Sequence, residues 1–172
     1  MNELIQKIEQ WAEDRNIIKG TKPIDQAMKL FSEAGELADN VGKGRDVKDD
    51  IGDCIVVVSI ISEQLGSSLK TLSFNKHQWA EDDSKSLVIE LMIALSDFSK
   101  WASLGYHHFG LVKRILNILN GIARNHKTTL DECVQVAYND IKNRKGIVFN
   151  GTFIKESDPA YKEALTALNK PH

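Results

Sequence analysis

Two cysteines in 172 residues exclude a disulfide framework. Cys54 and Cys133 both stand in apolar stretches and read as reduced core residues. Basic charge is not in excess either. A formal net charge of −2 gives no reason to expect a nucleic-acid polymer as ligand, although local basic clusters can hold a small phosphorylated molecule. No apolar run approaches a membrane span: the longest, residues 54–61, is interrupted by Ser59. The opening Met1-Asn2-Glu3-Leu4-Ile5-Gln6 lacks the basic-then-apolar order of a secretory leader. Low-complexity stretches are absent, as is any convincing repeat. One echo exists, Gly66-Ser67-Ser68-Leu69 against Lys127-Thr128-Thr129-Leu130, each following an apolar helical stretch. What remains is a single domain over residues 1–172, soluble and intracellular. Its 42% hydrophobic and 27% charged residues are those of an ordered globular chain long enough to bury a core.

Helical spacing dominates. Leu4, Ile5, Ile8, Trp11 and Ala12 predict a helix over residues 2–15, followed by a loop over 16–23 punctuated by Gly20 and Pro23. In the next helix, from 24 to about 41, Ile24, Met28, Phe31, Gly35 and Ala38 form an expected core face. Gln26, Lys29, Glu33, Glu36 and Asn40 fall on the opposite side. Residues 49–65 are ambiguous. Their β-branched centre, Ile55-Val56-Val57-Val58-Ser59-Ile60-Ile61, suits a strand, but a length of about seventeen residues among helical neighbours favours a helix buried on nearly all sides. Residues 66–86 read as loops with a short helix, and 87–101 and 111–122 as helices. Thr129 with Glu132 makes a capping box for a final helix ending in Lys142, Arg144 and Lys145. Asn150-Gly151 between short apolar runs predicts a hairpin. The expected fold class is therefore all-α, a helical bundle with a short C-terminal β-hairpin.

Two acidic pairs organise this chain: Glu33-Ala34-Gly35-Glu36 and Asp50-Ile51-Gly52-Asp53. Each is an i, i+3 pair, so on a helix its two Cβ atoms stand about 5–6 Å apart on one face. Two helices crossing there would gather four carboxylates, an unfavourable arrangement unless cations lie between them. Hard cations such as Mg²⁺ take oxygen ligands and leave room for substrate phosphates. A plainer reading stands beside this one. Lys29 lies one turn before Glu33 and can pair with it on a solvated face, and Asp49 and Asp50 in a first helical turn suit the macrodipole. Asp53 resists the plainer reading. It precedes a fully apolar run, where an ionised acid needs a partner or a metal.

Lys29-Leu30-Phe31-Ser32-Glu33-Ala34-Gly35-Glu36-Leu37 and Asp49-Asp50-Ile51-Gly52-Asp53 together resemble the signature of the MazG-like, all-α nucleoside triphosphate pyrophosphohydrolases. The late segment Ala137-Tyr138-Asn139-Asp140-Ile141-Lys142-Asn143-Arg144-Lys145-Gly146, with Phe153-Ile154-Lys155 beyond the hairpin, is similar to the closing helix of small phage-type members. The resemblance covers a core of about 1–65 and 125–157. It leaves residues 70–125 as a helical insertion that could replace a neighbouring subunit's contribution. Position 50 departs from the pattern, with Asp where Glu is common, which shortens the reach to a metal.

The resemblance implies hydrolysis of a (deoxy)nucleoside triphosphate to the monophosphate and pyrophosphate with Mg²⁺ or Mn²⁺. Glu33, Glu36, Asp50 and Asp53 would be the metal ligands, with Glu33 or Glu36 also orienting the attacking water. Lys29, Lys142, Arg144 and Lys145 would neutralise the β- and γ-phosphates, or simply satisfy helix-end charge. Asn139 would bond phosphate or sugar, and Trp11 would stack on the base or serve as core. His107-His108 has no partner at ligand spacing and reads as surface. The expected setting is the cytoplasm, a host's if the chain is phage-encoded, with neither membrane nor nucleic-acid partner and with a homodimer or homotetramer as assembly. Rival expectations are a base-specific enzyme (dUTPase-like or dGTP-specific) and a non-catalytic helical binding or assembly module.

Overall fold

The structure, a computed structural model, describes residues 1–71 and 83–168. In chain order its helices are α1 (Asn2–Asp14), α2 (Ile17–Gly20), α3 (Pro23–Lys43), α4 (Lys48–Gln64), α5 (Ser84–Ser103), α6 (Phe109–Asn125) and α7 (Leu130–Ile141). A hairpin of β1 (Gly146–Phe149) and β2 (Thr152–Lys155) then leads to α8 (Tyr161–Leu168). The described residues are thus mostly helical, with one small sheet. No helix among them is long and apolar enough to cross a membrane.

Helical length prevails over β propensity at residues 55–61, which lie inside α4. Every side chain from Cys54 to Ser62 is buried, so α4 is wrapped on all sides. It packs most heavily on α7 and then on α3, while α5 pairs with α6 and also lies against α3. Gly52 permits the α4–α7 contact, since a Cβ there would stand 2.3 Å from the Cys133 carbonyl oxygen. Cys54 and Cys133 are free thiols in this core, as expected. A single apolar cluster runs through α1 to α7.

On α3 the expected face is corrected. Ile24 is 51% and Met28 59% exposed, and Gly35 is exposed too, whereas Ala27, Leu30, Ala34, Leu37 and Val41 are buried. Two apolar stripes share this helix, and the core takes the one bearing Leu30, Leu37 and Val41. Gln26 and Glu33 border that stripe and are carried into the interior with it.

Three smaller readings also change. The expected loop 16–23 contains the turn of helix α2, entered through Asn16 at φ 56°. Within the expected 66–86 loop, Leu69–Thr71 form a 3-10 turn, 84–86 belong to α5, and 72–82 lie outside the described residues. Thr129 and Glu132 form the predicted capping box on α7, yet α7 is not the last helix. Helix α8 follows the hairpin and escaped notice because Ala164 is its one buried residue. The hairpin turn has Asn150 at φ 48° and Gly151 at φ 77°, the paired positive angles that an Asn-Gly turn favours. Its register pairs Phe149 with Thr152 and Ile147 with Ile154.

Candidate active site

Helices α3 and α4 run antiparallel, joined through Gly44 in the left-handed conformation. Side chains fix both ends. Asn40 donates to Asp50 (2.8 Å) near the connection, and Gln64 Nε2 donates to Thr21 Oγ1 (2.8 Å) at the far end. This arrangement sets the Glu33 pair beside the Asp50 pair. Burial is the first cause that raises the pKa of the enclosed Cys54 thiol, and the charges of Glu33, Asp53, Asp50 and Glu36 add to it. The charges of all four predicted carboxylates thus act on one buried thiol.

A pocket of about 320 Å³ opens beside them, near the lower end of the range for small-molecule sites. Lys29 and Glu33 enter it from α3, Asp53 from α4, Trp11 from α1 and Arg144 from the α7–β1 connection. Val56, Val57 and Ile60 form its apolar floor. Trp11 stands edge-on to Phe153 at 5.9 Å, and the Arg15 guanidinium lies 5.0 Å from the Trp11 ring. Arg15 also donates to the Arg144 carbonyl (2.7 Å), tying α1 to the segment that carries Arg144.

Charge of both signs lines this pocket, Asp25, Glu33 and Asp53 together with Lys29, Arg144 and Lys155. Burial, then the nearby Glu33 and Asp49, push Asp53 up to about 7 against the opposing pull of Arg144 and Lys29. Burial also raises Asp50, opposed by the Asn40 hydrogen bond. Glu33, buried, forms an ion pair with Lys29. Among the described residues no three His, Cys, Asp or Glu side chains make a ready metal cage. Glu33 and Asp50 already have partners, in Lys29 and Asn40. The four acids offer only carboxylate oxygen, the donor type that a hard cation takes.

Glu36 is exposed, and Asp50 is buried one turn from the pocket lining. Asn139, Lys142 and Lys145 are exposed and do not line it; Asn139 Oδ1 accepts from Lys142 Nζ (2.8 Å). Arg144 pairs with Asp140 and does line it. Asp25, Gln26, Phe153 and Lys155 line the pocket as well, although sequence reasoning gave them no role. The Phe153-Ile154-Lys155 run beyond the hairpin was the available signal for two of these. Of the histidines read as surface, His108 is exposed and caps α6 by accepting from the Leu111 N–H (3.2 Å), whereas His107 is half-buried and stands edge-on to Phe109 at 4.4 Å.

No family model matches the chain, and no solved structure matches it. It is similar to a protein of Haemophilus phage HP1 (strain HP1c1) described as an uncharacterized 18.2 kDa protein in the rep-hol intergenic region. The two are 47% identical over 66 residues, 37% of this chain and 40% of that protein. The chain thus spans less than half the length of the curated relative it matches.

Proposed function

We propose that the chain is a MazG-like nucleoside triphosphate pyrophosphohydrolase, converting a (d)NTP to (d)NMP and pyrophosphate. The observation that carries this reading is the pocket lined by Lys29, Glu33, Asp53 and Arg144, with Glu36 and Asp50 one turn away along α3 and α4. Glu33, Glu36, Asp50 and Asp53 would hold Mg²⁺ or Mn²⁺, which supplies positive charge for the phosphates and makes a bound water more acidic.

The chain's own residues do the rest. Glu36, exposed and not bound to Lys29, orients the water and takes its proton as the water oxygen bonds to the α-phosphorus; Glu33 assists once Lys29 turns to phosphate. The bond from the α-phosphorus to the bridging oxygen breaks, and pyrophosphate leaves with that oxygen. Lys29, Arg144 and Lys155 neutralise the leaving group inside the pocket. Lys142 and Lys145 act only at longer range from the exposed helix end, and Asn139 reaches substrate only if it releases Lys142. Trp11 and Phe153 give the base an aromatic wall. Assembly as a homodimer or homotetramer in the cytoplasm of a host belongs to this reading, with exposed Ile24 and Met28 as apolar surface for it.

A second reading, a helical module without chemistry, is favoured by the Lys29–Glu33 and Asn40–Asp50 contacts that already satisfy two of the four acids. A panel of nucleotides with Mg²⁺, scored for pyrophosphate against orthophosphate, separates the two. Pyrophosphate from several nucleotides supports the general enzyme, release from one base a specialist, and release from none the module.

A further inference from the structure

We propose that the end of the pocket farthest from the acids reads the base of the nucleotide, and selects bases that carry an amino group. The inference rests on the nucleotide reading above. Asp25 and Glu33 both line the pocket and stand eight positions apart on α3, about 12 Å along a helix rising 1.5 Å per residue. An α-phosphate at the Glu33–Asp53 end therefore places the sugar near Lys29 and Val57. The base then lies against Asp25, Gln26 and Ile60.

The hydrogen-bonding sense of that end is determined by Thr21. Its hydroxyl donates its one proton to the Ile17 carbonyl (2.8 Å), so toward its other neighbours it can only accept. Gln26 Nε2 (3.0 Å) and Gln64 Nε2 (2.8 Å) both donate to it. Gln26 is 8% exposed and lines the pocket, and because Nε2 is the pole turned to Thr21, the carbonyl oxygen is the pole turned away from it. Asp25 uses one carboxylate oxygen to cap the Lys22 N–H (2.8 Å), leaving the other as an acceptor. Gly151 at the hairpin turn closes over the capping oxygen, since a Cβ there would come within 2.7 Å of Asp25 Oδ2. Two adjacent residues thus present acceptors, which match the N–H donors of adenine, cytosine or guanine. Uracil and thymine offer one N–H flanked by two carbonyl oxygens, so one of the two acceptors would face an oxygen.

The test is calorimetric binding of dAMP, dCMP, dGMP, dUMP and dTMP in Mg²⁺ buffer, alongside pyrophosphate release from the triphosphates. At least one amino-bearing nucleotide should bind about tenfold or more tighter than dUMP and dTMP. Gln26→Met should remove most of that ratio. Asp25→Asn keeps the cap on Lys22 and adds a donor, so it should raise dUMP and dTMP binding relative to wild type. Equal binding of all five with pyrophosphate release intact overturns this inference alone. Equal binding of all five that weakens together in 2′,3′-dideoxy analogues assigns the acceptors to the sugar and also overturns it. Binding of none overturns both this inference and the nucleotide reading beneath it.

Discussion

The α3–α4 and α5–α6 pairs are two long helical hairpins packed against each other, and they differ in what they bury. The α5–α6 interior is aliphatic and aromatic, with Ser99 as its one buried polar residue. Its ion pair, Arg114 to Glu90 at 2.5 Å, stays partly exposed. The α3–α4 interior holds Gln26, Glu33 and Asp50, with Asp53 half-buried beside them. The first pair shows that this architecture needs no buried acid. Acids in the second therefore oppose stability, as the raised Asp53 and Asp50 indicate. Groups that oppose folding and cluster at a pocket are candidates for work on a ligand.

The sharpest way to break this contrast is to neutralise the acids. Glu36→Gln or Asp53→Asn should lower pyrophosphate release at least about a hundredfold, roughly 3 kcal/mol of transition-state stabilisation, with helical content by circular dichroism unchanged. Ser99→Ala, which removes an unpartnered buried hydroxyl from the other pair, should leave turnover alone. Turnover retained in either acidic variant would count against the proposed enzyme.

Next in size is a glycine contrast within α3–α4. Gly52→Ala forces a methyl against the Cys133 carbonyl and should destabilise by about 2–3 kcal/mol, read as a lower urea midpoint. Gly35→Ala meets nothing within 4 Å and should instead stabilise by about 1 kcal/mol. The glycine in each acidic motif thus has a different job. Gly52 admits α7, while Gly35 is free of packing constraint.

Stability against pH comes third. Folded Asp53 keeps its proton up to about pH 7, whereas the unfolded residue loses it near 3.8. Between those values the folded chain holds the extra proton, so stability is full below 3.8 and is lost as pH rises through 7. A rise of about three pH units sets a ceiling near 4 kcal/mol, and partial exposure reduces the expected loss to about 2 kcal/mol. Urea midpoints in chelator should fall between pH 4.5 and 7.5 for wild type and much less for Asp53→Asn. Adding Mg²⁺ at pH 7.5 should recover part of the loss if the carboxylates bind it.

Much of this was legible in the sequence. The acidic pairs, the α7 capping box and the Asn-Gly turn all depend on contacts within four residues. The inward face of α3 was not, because two apolar stripes compete on that helix and only tertiary packing chooses between them. That choice buried Glu33 and Gln26 together. Asp25 and Gln26 escaped for a related reason: their roles at the pocket depend on Thr21 and on a hairpin more than a hundred residues away. Lys142, Arg144 and Lys145 were expected to end the helix, but α7 stops at Ile141, the run lies in the connection beyond it, and only Arg144 of the three reaches the pocket.

The smallest expected effect tests how far the two hairpins are alike. Helix α4 is followed by its C-cap Leu65, then Gly66 at φ 74°, with Ser67 N–H bonded to the Ser62 carbonyl (2.9 Å). Helix α6 is followed by its C-cap His126, then Lys127 at φ 57°, with Thr128 N–H bonded to the Ala123 carbonyl (2.9 Å). Each left-handed residue is followed three positions later by a buried leucine, Leu69 or Leu130. The faint echo in sequence is thus one stop signal used twice, with glycine in the first copy and a strained lysine in the second. Lys127→Gly should therefore stabilise by up to about 1 kcal/mol, and Gly66→Ala should destabilise by a similar amount. Opposite signs in the two urea midpoints would establish that both ends are held in the same conformation. A loss in both variants would mean that the Lys127 side chain makes a contribution larger than the strain it carries, and that the likeness ends at the backbone.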